Sequence, residues 1–248
     1  MLASFVTADD TGLRKLNTGD EGRGWEAVGR LDIDGTGFCT GALIEEDLVL
    51  TAAHCLFDPT TGAQIDETEI EFRAGWRNGR ASAYRWVGDA VVHPDYDYAA
   101  AAHEGRVRND VALLKLVQPI RTTEVRPFAT DMRPRDGERV GVVSYAHNRA
   151  DVPSLQEMCR VMARQHGVLV MSCDVDFGSS GAPVFSFLDG EPRIVSVVSA
   201  KAEANGTPVS LGTALESPLQ VLRVEMASRS RFQSSAERNA TGAKFVKP

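Results

Sequence analysis

From Trp25 onward, apolar residues come in short alternating or continuous runs: Glu26–Ile33, Gly41–Leu50, Ile70–Arg73, Trp86–His93, Val111–Val117, Arg139–Tyr145, Cys159–Gln165, Val168–Cys173, Val184–Leu188 and Ile194–Ser199. Alternation with a period of two marks a half-buried strand, and a short apolar run between turn signals marks a fully buried one. Turn chemistry separates the runs at Asp34-Gly35, Asn78-Gly79, Asp136-Gly137, Asp189-Gly190 and Asn205-Gly206. Strands this dense, without helices alternating between them, predict an antiparallel barrel or sandwich. One helix is expected near Ser217–Ser230, with apolar Leu219, Val221, Leu222 and Met226, Ser217 as its cap and Pro218 at its first position. Residues 1–24 show little periodicity and read as a loose arm, and residues 233–248 as a frayed polar tail. No repeat of 20–50 residues is present. The expected class is all-β with a C-terminal α-helix.

Composition narrows the partners more than the fold. The 248 residues are 43% hydrophobic and 25% charged, as in a folded globular chain. A net charge of −7 argues against broad binding to nucleic acid or to an anionic membrane, both of which want a basic face. No apolar run approaches the roughly 18 residues of a membrane-spanning helix. A monomer acting on a soluble partner is expected. The four cysteines, Cys39, Cys55, Cys159 and Cys173, allow three pairings. None falls in C-x-x-C spacing, so a structural metal site is a poor reading, and two disulfides in an oxidising compartment a better one. Met1–Asp10 lacks the basic start and apolar stretch of a signal peptide. A secreted or periplasmic protein whose signal is absent from this chain is expected.

Three segments carry candidate chemistry. Leu50-Thr51-Ala52-Ala53-His54-Cys55 ends an apolar run, Asn109-Asp110-Val111-Ala112-Leu113-Leu114 places an acid before a strand, and Phe177-Gly178-Ser179-Ser180-Gly181-Ala182-Pro183 puts serines in a glycine-rich turn. A serine hydroxyl is a weak nucleophile that needs an imidazole to take its proton. The imidazole needs a carboxylate to fix its tautomer, and the oxyanion that forms needs donors already in place. Taken singly, each segment is most simply a structural histidine, a strand cap and a loop. Together, in the order His, Asp, Ser, they describe nucleophilic catalysis.

These segments resemble those of the chymotrypsin/trypsin family of serine endopeptidases. The resemblance extends to Phe38-Cys39-Thr40-Gly41-Ala42-Leu43-Ile44, to His93-Pro94-Asp95-Tyr96 ahead of Asp110, and to Ile194–Ser199, which is similar to the strand lining the primary specificity pocket. It implies two perpendicular six-stranded antiparallel β-barrels with the site between them: a first barrel over about 25–130, a second over about 131–216, and a helix over about 217–230. It further implies His54 as general base, Asp110 as its orienting acid, Ser180 as nucleophile and the N–H groups of Gly178 and Ser180 as the oxyanion hole. A Cys39–Cys55 disulfide, a polypeptide substrate and no cofactor or metal follow from the same likeness.

The departures from the pattern also inform. No Ile-Val-Gly-Gly segment occurs, and Ser179 stands where animal members keep an acid to receive a freed chain terminus. The sequence is more similar to the bacterial branch related to glutamyl endopeptidases. The interval between Asp110 and Ser180 is short, and Cys159–Gln165 meets Val168–Cys173 at His166-Gly167 as a tight hairpin that a Cys159–Cys173 bridge would staple. Asp176 replaces the cysteine that usually flanks the pocket. Specificity stays open. Asp174, six residues before Ser180, is placed to receive Arg or Lys side chains, whereas Lys201, two beyond Ser199, falls where a glycine normally keeps the pocket clear and could meet an acidic one. Val198 stands where glutamyl endopeptidases carry a histidine. The rival readings are a protease-fold binding module without turnover and an esterase, and the Gly-x-Ser-x-Gly elbow of the latter is missing. His93, His103, His147 and His166 are expected to be structural or exposed. The acidic stretch Asp58–Glu71 reads as a solvated loop before a calcium site, and Trp25, Trp76 and Trp86 as packing residues.

Overall fold

Thirteen strands form the framework of the computed structural model, which describes residues 12–35, 37–100, 104–131, 134–188 and 190–240. In chain order they are β1 (Leu13–Lys15), β2 (Val28–Ile33), β3 (Gly37–Glu45), β4 (Leu48–Thr51), β5 (Ile70–Ala74), β6 (Ala83–Val92), β7 (Ala112–Leu116), β8 (Arg139–Ser144), β9 (Ser154–Gln165), β10 (Val168–Met171), β11 (Pro183–Ser186), β12 (Arg193–Ala204) and β13 (Thr207–Ala214). Two helices join them, α1 (Glu104–Arg108) and α2 (Pro218–Ala240). Strands β2-β3-β4-β7-β6-β5 close a first antiparallel barrel. Strands β8-β11-β12-β13-β10-β9 close a second, through pairing of β9 with β8, and β1 adds to β9 at its edge. This is the expected pair of six-stranded barrels.

Alternation decides which way each strand faces. In β5, Ile70, Phe72 and Ala74 point into the first barrel while Glu71 and Arg73 point out. The register sets Leu31 against Phe72 and Asp32 against Glu71. The outward residues then form a charge ladder, with Asp32 receiving Arg30 at 3.0 Å and Arg73 at 2.8 Å. The second barrel has a smaller apolar core, around Val142, Val161, Leu169, Met171, Val184 and Val195. Some of its buried hydroxyls are satisfied by backbone, as where Ser196 Oγ donates to Thr213 O at 2.8 Å.

Several sequence expectations change here. The stretch Gly41–Leu50 is not one strand but the β3–β4 hairpin, because Glu46 and Asp47 break the apolar run with charge. The segment read as a loose arm is fixed from Leu13 on: β1 pairs with β9, Leu16 is wholly buried, and Arg77 Nη1 donates to Thr18 O at 2.8 Å. Residues 1–11 of that arm lie outside the described residues. The final helix runs to Ala240, past the expected end near Ser230 and into the stretch read as tail, of which residues 241–248 are not described. Helix α1 and strand β13 carry no apolar periodicity that would have marked them.

Both bridges form, Cys39–Cys55 and Cys159–Cys173. The second staples the β9–β10 hairpin, whose register runs through Gln165 and Val168 as expected of a two-residue His166-Gly167 turn. The first ties β3 to the 3₁₀ turn Ala53–Leu56 across 16 positions of sequence. Replacing Cys39 and Cys55 together by alanine should therefore cost about 3 kcal/mol through the freed unfolded chain. A guanidinium unfolding midpoint equal to the parent's would contradict that expectation.

Candidate active site

Register brings His54 and Asp110 together. Thr51, at the end of β4, pairs with Ala112, at the start of β7. The turn three residues after Thr51 and the residue two before Ala112 are therefore neighbours. His54 N–H donates to Asp110 Oδ1 at 2.9 Å, and His54 Nδ1 lies 2.7 Å from Asp110 Oδ2. A carboxylate only accepts, so Nδ1–H is the donor of this contact and Nε2 is turned away from Asp110. Ser199, midway along β12 where its register with β13 shifts, donates its hydroxyl to the same Oδ2 in a short hydrogen bond. Asp110 thus has three donors while its side chain is 3% exposed, the condition under which a buried carboxylate is tolerated.

The segment ahead of Asp110 is wired to support it. Asn109 Nδ2 donates to Asp95 O at 3.1 Å, and Asp95 N–H donates to His93 Nδ1 at 3.2 Å. Burial, the larger influence, pulls the His93 imidazole below its usual pKa and keeps it neutral as an acceptor. Burial, reinforced by the nearby Asp110, pushes the Tyr96 phenol up to about 12. Thr213 Oγ1 from β13 lies within hydrogen-bond reach of both Val107 O and Asp110 O, at 2.5 and 3.1 Å. It anchors the acid's backbone to the second barrel.

Ser180 comes from the loop between β10 and β11 and is half-buried. Its Oγ makes no hydrogen bond among the described residues. The contact with His54 is left open, as is common before substrate binds. The loop itself is held by the first barrel. Thr40 N–H donates to Ser180 O at 2.8 Å, and Thr40 Oγ1 donates to Gly178 O at 2.9 Å. His147 N–H donates to Phe177 O, and Ala182 N–H to Ser179 O, at 2.8 and 3.0 Å. The C=O and N–H of one trans peptide unit point in opposite directions. Fixing the carbonyls of Phe177 and Ser179 therefore turns the N–H groups of Gly178 and Ser180 the other way. Among the described residues neither of these N–H groups has an acceptor, as donors reserved for an oxyanion require. Gly178, at φ +95°, lies so close to Phe38 that a Cβ would come within 2.5 Å of its ring.

The specificity candidates are less tightly arranged. Asp174 and Lys201 are both exposed and line one cavity of about 580 Å³ with Gln156, Met158, Val175 and Val209. Asp174 N–H donates to Gln156 Oε1 at 2.8 Å, and no ion pair joins Asp174 to Lys201 among the described residues. His54, Asp110, Ser180 and Ser199 do not line this cavity. His103 lies outside the described residues, whereas His147 takes part in the loop contact above. Sequence reasoning did not pick out Thr40 and Thr213 as structural anchors. Thr40 lay inside a motif already quoted, but its partners are more than a hundred positions away.

Two closed antiparallel barrels, with an imidazole–carboxylate pair on one facing a serine loop on the other, define a chymotrypsin-like protein. The sequence profile of the trypsin-like peptidase domain matches residues 35–193, and the chain belongs to that family. It is 25% identical to human serine protease 23 over 211 residues, 75% of this chain and 55% of that protein. It is 34% identical to a trypsin of Sarcophaga bullata over 84 residues, 34% of this chain and 29% of that one. The chain therefore spans little more than half the length of the curated relatives it matches, or less. A solved structure of a Glu endopeptidase in complex with MPD superposes with a TM-score of 0.72 at 18% identity, covering 90% of this chain and 100% of that one. That likeness establishes the fold.

Proposed function

We propose that this chain is a serine endopeptidase that hydrolyses peptide bonds through an acyl-enzyme intermediate. Ser180 Oγ would attack the scissile carbonyl carbon while His54 Nε2 takes the hydroxyl proton. The N–H groups of Gly178 and Ser180 would receive the carbonyl oxygen as it becomes an anion. Collapse would break the C–N bond, with His54 returning the proton to the leaving amine. Water, deprotonated by the same imidazole, would then free the acyl group and restore Ser180. The observation that carries the reading is the Asp110 carboxylate with His54 Nδ1 at 2.7 Å, which orients the imidazole as a base. Two disulfides fit work in an oxidising compartment, secreted or periplasmic.

For specificity, we propose that Asp174 reads a basic side chain before the cut bond. Its carboxylate is not paired with Lys201, so a substrate Arg or Lys would supply the missing counter-charge. The test is cleavage of a mixed peptide library, read by mass spectrometry, with Ser180→Ala as the blank. Cuts after Arg or Lys that vanish in the blank are expected. Cuts after Glu or Asp would transfer the role to Lys201. Cuts that persist in Ser180→Ala would reject it as the nucleophile, and no cuts in either protein would favour a binding module.

A further inference from the structure

Arg149 is a buried cation without a paired acid. It is 6% exposed, and among the described residues no carboxylate lies within ion-pair distance. Its guanidinium donates through Nη1 to Ser144 O and Ser144 Oγ, at 2.9 and 3.0 Å, and through Nη2 to Ser179 Oγ at 3.4 Å. Burial pulls its pKa down, and the charges of Asp174 and Asp176 oppose that at longer range. Removing such a group from water is expensive, and neutral hydrogen-bond partners offset the cost only in part. The groups it touches give it a role.

One end of the guanidinium closes the 3₁₀ turn His147–Arg149 back onto Ser144, the last residue of β8. That turn presents the His147 N–H that holds Phe177 O and so aims the Gly178 N–H. The other end reaches Ser179, wholly buried and directly before Ser180. A hydroxyl has one proton and two lone pairs. Ser179 Oγ can donate to Tyr145 O at 3.2 Å or to Ser144 Oγ at 3.3 Å, while accepting from Arg149 and from Asp176 N–H, each at 3.4 Å. The side chain of Ser179 therefore ties the same two segments together from the loop's side. Each donor proposed for the oxyanion has its orientation set within two residues of Ser179, an Arg149 partner.

We infer that Arg149 is a positioning residue for the oxyanion hole, a cation internal to the fold that locks the Ser144–Arg149 turn against Ser179 and keeps the Gly178 and Ser180 N–H groups turned into the cleft. This rests on the role proposed above for those two groups. Held in this way, the loop needs no charge delivered by a chain terminus.

Kinetics and hydrogen exchange on the full chain test it, comparing the parent with Arg149→Met and Arg149→Lys. In the Met variant kcat should fall about 10²-fold, as for loss of one oxyanion donor. KM should stay within about twofold, because ground-state binding is untouched. Affinity for a peptide boronate, which forms a tetrahedral adduct on Ser180, should fall in parallel with kcat. Exchange in the peptide covering residues 174–181 should quicken about tenfold while β2 to β7 keep parent rates. Lysine should restore only part of kcat, since one ammonium cannot fork between Ser144 and Ser179. A folded Met variant with parent kcat and parent exchange overturns the inference, as does exchange that rises equally in every strand. If the Met variant does not fold, Ser179→Ala carries the test, removing the loop end of the contact while Arg149 stays on Ser144. The same kcat-selective loss is then expected, and parent kcat with parent exchange overturns the inference. A parent that cleaves nothing defeats the proposed function, yet the exchange comparison still decides whether Arg149 positions the loop.

Discussion

Asp110→Asn should leave a folded protein whose kcat is lower by a factor on the order of 10⁴. The amide matches the carboxylate in size, and Asn Oδ1 can still accept from His54 N–H, which Asp110 holds at 2.9 Å. The change appears at the other atom. An NH₂ group facing Nδ1 can only donate, so the imidazole must turn its lone pair to Nδ1 and carry its proton on Nε2. His54 would then present a donor to Ser180 where a base is needed. The Ser199 hydroxyl, now opposite an NH₂ group, loses its acceptor as well. A KM near the parent's with a collapsed kcat is the expected split, since the residue does not touch the substrate. Turnover within a factor of ten of the parent would remove Asp110 from the role assigned to it.

Gly181→Ala should be strongly destabilising. Gly181 has φ +76°, a region that side chains seldom occupy. A Cβ there would lie 2.1 Å from Thr51 Oγ1 and 2.3 Å from Thr40 O. Neither can yield cheaply. Thr51 Oγ1 donates to Thr40 O at 2.9 Å, and Thr40 in turn holds Ser180 and Gly178. Backbone strain and overpacking each cost about 1–3 kcal/mol, so a loss of roughly 3 kcal/mol or more is expected. Urea unfolding should show a clearly lower midpoint, and the surviving folded fraction should turn over poorly because the nucleophile loop has been pushed off Thr40. A parent-like midpoint would mean that the barrels separate more easily than their contacts imply.

What could be read in the sequence was whatever stays local. Strands β2, β5, β8 and β12 announce themselves because their inward residues are apolar and their turns carry Asn-Gly or Asp-Gly steps, and β7 does so by its apolar run alone. Strand β13 does not, because its inward positions include Ser210 and Gly212, which are small, while Thr213 on the opposite face bonds to backbone of the segment before β7. Strand β1 is three residues long and depends on the edge of β9, a partner about 140 positions later. At the site, His54, Asp110 and Ser180 stood in extended motifs and could be singled out by likeness to a known family. Thr40, Thr213 and Arg149 could not, since their value comes from partners elsewhere in the chain, and a lone threonine or arginine has no period or spacing to betray it. Specificity was ambiguous in sequence because an acid, Asp174, and a base, Lys201, were both candidates for it. The structure keeps both Asp174 and Lys201 on one cavity.

Helix α2 follows the second barrel in sequence but belongs to the first in space. Leu219, Leu222 and Met226 are buried in the same apolar cluster as Leu43, Leu113 and Leu114. Arg223 pairs with Glu45, and Arg229 donates to Ala90 O at 2.9 Å. On a ribosome, the strands of the first barrel emerge together, yet the side chains that cover one of its flanks are about a hundred residues further along. That flank can be covered by these side chains only after α2 has been made. Contacts so distant in sequence slow folding. The last helix therefore adds long-range contacts to the first barrel, of the kind that slow folding.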